Sequence, residues 1–341
     1  MSNSLFGPLD PAKDAGWDGS PSRKGFFTDT SVCIGCKACE VACKTWNEVP
    51  DDGFQLLGSS YDNTGALGAS TWRHVAFIEQ PKSLGSQQPG FGGTAAGGPV
   101  TDLLNEMSGS ALTGDRAALG TSSEKVELGM PTFELPGGRD ENGQRTDFRW
   151  LMSSDVCKHC THAGCLDVCP TGSLFRTEFG TVVVQDEICN GCGYCVPACP
   201  YGVIDRRVGD KAGTPKVGVA QKCTLCYDRL GEGLTPACAK ACPTESIQFG
   251  DVEELRQRAE QRVQQLQDAG VSDARLYGND PHDGVGGAGA FFLLLDEPEV
   301  YGFPPDPVVP TRDLPVMWRK AGLAALTMLA GAVAAFAGGT R

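Results

Sequence analysis

Sixteen cysteines constrain what this chain of 341 residues can fold into, and they fall into four groups of four with none left over. Cys33, Cys36, Cys39 and Cys43 read C-x2-C-x2-C-x3-C, and Cys189, Cys192, Cys195 and Cys199 repeat that spacing, closed by Pro200. Cys157, Cys160, Cys165 and Cys169, closed by Pro170, stretch the middle interval to four residues. Cys223, Cys226, Cys238 and Cys242, closed by Pro243, expand it to eleven. Two residues between cysteines let a tight loop aim successive thiolates at three corners of one iron–sulfur cubane. The fourth thiolate points away toward a different cluster. A helix is expected to begin at that fourth cysteine, because a proline just after it suits a first helical turn. Each group therefore gives three ligands to one cluster and one to a partner.

Structural zinc is the alternative, since C-x2-C pairs also build closed tetrahedral sites. The last group alone fits that pattern; the tandem runs do not. Which groups share clusters stays open at this level. Spacing allows nested pairing, second group with third and first with fourth, or sequential pairing. Nesting is the more economical, because only 20 positions separate Cys169 from Cys189, whereas Cys43 and Cys157 lie 114 apart.

Disulfides are not expected, because the chain is long and residues 1–20 lack the apolar run of a signal peptide. The net charge of −13 argues against nucleic acid as a partner. Forty-five glycines and 22 prolines predict a loop-rich fold. Short strands are expected at Arg73–Glu79, at Ser173–Thr177 paired through Glu178-Phe179-Gly180 with Thr181–Gln185, and at Ser246–Phe249. The class is α+β: duplicated bacterial-ferredoxin-like folds with long loops, plus a single C-terminal transmembrane helix.

The boundaries read as an N-terminal arm over 1–25 and a four-cluster domain over 26–80 and 146–250. A loop-rich insertion, with one short helix near Leu103–Met107, covers 81–145. A helix-and-strand extension over 251–315 precedes a membrane-anchor helix over 316–341. Within the extension, Asp251 and Glu254 form a capping box for a helix whose apolar stripe is Val252, Leu255, Ala259, Val263 and Leu266, and Gly270 stops it. Ala321 to Gly339 is a 19-residue stretch without charge, preceded by Trp318, Arg319 and Lys320. Those two cations point to a cytoplasmic side for the cluster domain.

Other polar residues play supporting parts. His159 and His162 lie beside Cys157 and Cys160, but the cysteine count is already complete, so they read as neighbours of the clusters or surface groups. Lys158 and Lys222 adjoin cluster cysteines, where positive charge raises a potential, or else they are solvated. No nucleophile–base constellation, phosphate loop or dinucleotide fingerprint occurs. The chain reads as an electron carrier without a catalytic site of its own.

With the groups in place, the chain resembles the iron–sulfur (beta) subunits of membrane-bound formate dehydrogenases, within the four-cluster subunits of molybdopterin oxidoreductases. The resemblance covers 26–80 and 148–341. It rests on Cys33-Ile34-Gly35-Cys36-Lys37-Ala38-Cys39, Cys189-Asn190-Gly191-Cys192-Gly193-Tyr194-Cys195 and Lys222-Cys223-Thr224-Leu225-Cys226. It rests also on Ala259-Glu260-Gln261-Arg262-Val263, Gly284-Val285-Gly286-Gly287 and Gly302-Phe303-Pro304. Nitrate reductase subunits of the group carry tryptophan at one third-group position; Cys192 here is a cysteine. The 81–145 insertion departs from the family's usual length.

The resemblance implies four [4Fe–4S] clusters with nested ligation. One would be held by Cys33, Cys36, Cys39 and Cys242, and its partner by Cys223, Cys226, Cys238 and Cys43. Another pair would use Cys157, Cys160, Cys165 and Cys199, and Cys189, Cys192, Cys195 and Cys169. It implies as partners a molybdenum or tungsten pterin catalytic alpha subunit oxidising formate, and a membrane cytochrome b or similar quinone-reducing subunit. A sulfur-compound or sulfoxide reductase complex is the alternative setting. The location implied is the cell (inner) membrane. In relatives the cluster domain faces outward, opposite to the side that Arg319 and Lys320 suggest.

Overall fold

The run Ala290-Phe291-Phe292-Leu293-Leu294 has no polar position, so a strand built from it needs cover on both faces. The computed structural model describes residues 10–52, 61–62, 64–80, 149–209, 213–309, 311 and 313–338. In chain order its helices are α1 (Pro11–Asp14), α2 (Ala38–Trp46), α3 (Gly164–Asp167), α4 (Tyr227–Gly231), α5 (Ala237–Lys240), α6 (Val252–Asp268) and α7 (Leu314–Gly338). The strands are β1 (Lys24–Asp29), β2 (Arg73–Gln80), β3 (Arg149–Val156), β4 (Leu174–Arg176), β5 (Val182–Val184), β6 (Asp205–Arg206), β7 (Ala220–Gln221), β8 (Ile247–Asp251), β9 (Arg275–Tyr277) and β10 (Ala290–Leu294). The insertion over 81–145, with the helix expected at Leu103–Met107, lies outside the described residues.

A four-stranded sheet ordered β8-β1-β10-β9 forms the spine. β1 runs parallel to β10, with Phe27 opposite Phe291, and antiparallel to β8. Successive side chains leave a strand on opposite faces. Phe27, Phe291 and Leu293 thus meet Val252, Leu255 and Ala259 of α6, while Phe26, Phe292 and Leu294 pack with Cys39, Cys43, Cys223 and Cys238. The spine therefore clamps a helix on one side and the cysteine loops on the other. The α6 stripe is as expected, and Gly270 ends the helix at φ 93°.

β2 and β3 form a separate antiparallel ladder from Arg73 opposite Val156 to Gln80 opposite Arg149. β4 and β5 make the expected hairpin, turning at Gly180 with φ 74°.

Two expectations are corrected. Helices do not begin at the fourth cysteine of each group, and among the described residues only α2 runs on past one, from Cys43 to Trp46. In α2 the third and fourth cysteines, Cys39 and Cys43, share one helix, while α3 carries Cys165 and α5 carries Cys238 just before Cys169 and Cys242. A C-x3-C step is one helical turn, so the turn spans the pair, and a proline after it stops the helix because its ring blocks continuation. The second correction is the capping box. Asp251 sits at the N-cap of α6 without a side-chain cap. Its carboxylate is taken by the Lys24 ammonium at 2.6 Å and by the Ser22 hydroxyl.

In α7, Val316–Ala337 is exposed and forms a 22-residue stretch long and apolar enough to cross a membrane. At the usual helical rise it reaches about 33 Å, close to a bilayer's hydrocarbon thickness. Its approach is pinned where the Thr311 hydroxyl donates to Asp167 at 2.5 Å, two residues before Cys169.

Candidate iron–sulfur cluster sites

In each group the residue before the second cysteine is left-handed: Gly35 (φ 66°), His159 (44°), Gly191 (70°) and Leu225 (59°). This reversal turns a two-residue spacer into a tight loop whose thiols face one point. Glycine adopts it without strain, and His159 and Leu225 hold it against the usual steric cost. A Cβ at Gly35 would lie 2.6 Å from the Phe77 ring, and at Gly191 2.5 Å from the Gly218 carbonyl oxygen.

The loops bring together thiols from distant groups. Cys33, Cys36, Cys39 and Cys242 line one cavity. Cys157, Cys160, Cys165 and Cys199 line another. Around Cys43, burial and then the charges of Cys223 and Cys238 push the thiol well up, with Cys226 adding to it. Cys195 is pushed up to about 11 by burial and then by Cys189, with Cys192 and Cys169 also facing it. Geometry thus joins the first group with the fourth and the second with the third.

Neighbouring assemblies lie near enough to feel one another's charge. Cys39, pushed up to about 11 chiefly by burial, faces Cys238. Burial and then Cys157 raise Cys223. Cys165, at about 12 chiefly through burial, faces Cys195. Cys36 and Cys192, at the two ends, are the exposed cysteines. Cys169 behaves differently. Burial resists, but the Ser173 hydroxyl, the Leu174 amide and Thr171 hold it down to about 6.

Several polar groups aim at the sulfurs. The buried Arg73 guanidinium donates from Nη2 to Cys238 Sγ at 3.4 Å and from Nη1 to Ser154 Oγ at 3.2 Å. Ser154 Oγ lies 3.2 Å from Cys39 Sγ. Asn47 Nδ2 approaches Cys43 Sγ at 3.7 Å and Cys226 Sγ at 3.8 Å. Lys158 and Lys222 are buried rather than solvated, and both line the second cavity. Lys158 is stacked on Tyr201, Phe292 and Phe303 and paired with Asp155. Lys222 donates to the carbonyls of Val182 and Cys223.

His159 is buried and lines the same cavity, its Nδ1 accepting from the Val182 amide at 3.1 Å. Burial, then Lys222, lowers it well below the usual histidine range. Its proton therefore sits on Nε2, a buried donor without a protein partner, as is Arg73 Nε. Buried donors require acceptors, and the sulfurs of a cluster bound in the cavity that His159 lines would supply one. His162 lies apart, lining an open groove with Trp17 and Arg176.

Among the described residues no three His, Cys, Asp or Glu side chains converge closely enough to hold a single metal ion. Two of the sets instead ring cavities, as thiolates bound to the four irons of a cubane must, so the donor set fits [4Fe–4S] clusters. Arg73, Ser154 and Asn47 were missed in the sequence. The signal for Arg73 was weak: a permanently charged residue beside apolar strand positions.

Two families, each described as "4Fe-4S dicluster domain", match the chain, one over residues 32–173 and the other over 148–252. The nitrate-inducible formate dehydrogenase iron-sulfur subunit of Escherichia coli (strain K12) is 33% identical over 314 residues, covering 91% of this chain and 81% of that protein. The formate dehydrogenase iron-sulfur subunit of Haemophilus influenzae is 33% identical, over 85% of this chain and 71% of that one. One polypeptide of the anaerobic dimethyl sulfoxide reductase of E. coli (strain K12) is 28% identical, over 70% and 78%.

Proposed function

This protein belongs to the family of formate dehydrogenase iron–sulfur subunits, and on that premise we propose that its sixteen cysteines hold four [4Fe–4S] clusters in a single file. The clusters would be held by Cys33, Cys36, Cys39 and Cys242; by Cys223, Cys226, Cys238 and Cys43; by Cys157, Cys160, Cys165 and Cys199; and by Cys189, Cys192, Cys195 and Cys169. The observation that carries this reading is the cavity at which Cys242 joins Cys33, Cys36 and Cys39, although 199 positions separate Cys242 from Cys43. Such clusters, when bound, take up and release single electrons. The chain's residues hold them in order and keep water from the inner two.

The order is supported by the facing thiols Cys39 and Cys238, Cys223 and Cys157, and Cys165 and Cys195. The file begins and ends at the exposed Cys36 and Cys192. Ile34 and Val41 stand exposed beside the first, Ile188 and Tyr194 beside the last. These surfaces suit a molybdopterin catalytic subunit at the Cys36 end and a quinone-reducing membrane subunit at the Cys192 end. The latter choice rests on the Thr311–Asp167 hydrogen bond, which roots the membrane helix near Cys169.

The test is purification of the complex from membranes. Iron and acid-labile sulfide should each reach at least one per cysteine of this chain, the partner subunits adding their own, and formate should reduce an artificial dye. An intact, molybdenum-loaded complex that ignores formate but is oxidised by dimethyl sulfoxide would move the chain to the reductase setting. Zinc in place of iron would overturn the cluster assignment.

A further inference from the structure

Arg73 occupies an unusual place for a permanent charge. It is buried, its guanidinium carbon lies 4.9 Å from the centre of the Phe26 ring, and it has no carboxylate partner among the described residues. A buried cation needs countercharge. The groups that face it are the thiols of Cys238, Cys39, Cys223 and Cys43. On the ligand sets proposed above, Cys39 belongs to one cluster, and Cys238, Cys223 and Cys43 to the next.

A continuous path links the two. Arg73 Nη2 donates to Cys238 Sγ at 3.4 Å, and Nη1 donates to Ser154 Oγ at 3.2 Å. Because Ser154 Oγ accepts from Arg73, its own proton is available to Cys39 Sγ at 3.2 Å. Arg73 Nε is a further buried donor with no protein acceptor. We propose that Arg73 and Ser154 form a charged, hydrogen-bonded bridge between two neighbouring clusters and raise the reduction potential of both. The physical reason is direct: a cluster with its thiolates is anionic and gains negative charge on reduction. A fixed cation and N–H or O–H donors at its sulfurs therefore favour the reduced form. Arginine suits the post because it stays charged and serves both sides through separate nitrogens.

This inference rests on the proposed ligand sets, and the experiment separates the two. Redox titration followed by EPR is run on the purified complex carrying Ser154→Ala, Arg73→Lys or Arg73→Gln, with iron and sulfide measured in each. Ser154→Ala should move only the cluster of Cys33, Cys36, Cys39 and Cys242 to lower potential. Arg73→Gln should lower both clusters, the one holding Cys238 more, and Arg73→Lys should lower them less than Gln does. Full clusters at unchanged potentials would overturn the bridge and leave the ligand sets standing. If Arg73→Gln fails to assemble, Ser154→Ala decides, since it removes one hydroxyl without altering charge. Zinc in place of iron would refute the cluster reading itself.

Discussion

At the scale of single residues, the cluster loops depend on four left-handed backbone positions. Gly35 and Gly191 are legible in the sequence as glycines inside C-x2-C spacers. His159 and Leu225 are not, because a side chain with a Cβ gives no sign that tertiary packing will hold it at positive φ. Gly191 offers a test with a built-in control. Gly233 is also left-handed (φ 70°), but a Cβ there meets nothing within 4 Å, whereas at Gly191 it lies 2.5 Å from the Gly218 carbonyl oxygen. Gly233→Ala should cost about 1–2 kcal/mol of conformational strain alone, with clusters retained. Gly191→Ala adds a collision with backbone and should lower the iron content of the complex as well. Thermal unfolding and iron analysis of the two variants check this; equal effects would mean that the close approach to Gly218 is unimportant.

At the scale of elements, local pattern foretold more than pairing. The stripe of α6, the hairpin at Gly180 and the strand at Arg73 follow from periodicity and turn chemistry. The parallel match of Phe27 with Phe291 does not, because register between segments this far apart is set by shared burial. The N-cap of α6 shows the same limit. Asp251 has the right type and place for a cap, yet Lys24 lies opposite it across the β1–β8 ladder and takes its carboxylate. A double-mutant cycle distinguishes the two roles. If the ion pair governs, Asp251→Ala costs up to about 1 kcal/mol in the parent protein, and most of that cost disappears in Lys24→Met. A cap would cost about 1 kcal/mol in both backgrounds. Denaturant unfolding of the four proteins reads the coupling, which should also weaken with added salt.

At the scale of the whole molecule, the cysteine groups were legible as a count and a chemistry, but their pairing was not. Spacing alone left nested and sequential arrangements open, since separation along the sequence says little about where loops meet. The fold sets the first and fourth groups together by packing α2 and α5, which carry Cys39 with Cys43 and Cys238, beneath the same face of the central sheet. Each cysteine group would then give its fourth thiolate to its neighbour's cluster, so that metal binding and chain folding are a single event. This makes a prediction that no arrangement of self-contained groups shares. Cys43→Ser should abolish or alter the EPR signal of the cluster held by Cys223, Cys226 and Cys238. The cluster held by Cys33, Cys36, Cys39 and Cys242 should persist, although Cys43 is adjacent to that group in sequence. Loss of the Cys33 cluster with the other intact would mean that the groups close on themselves, and the ligand sets proposed here would have to be redrawn.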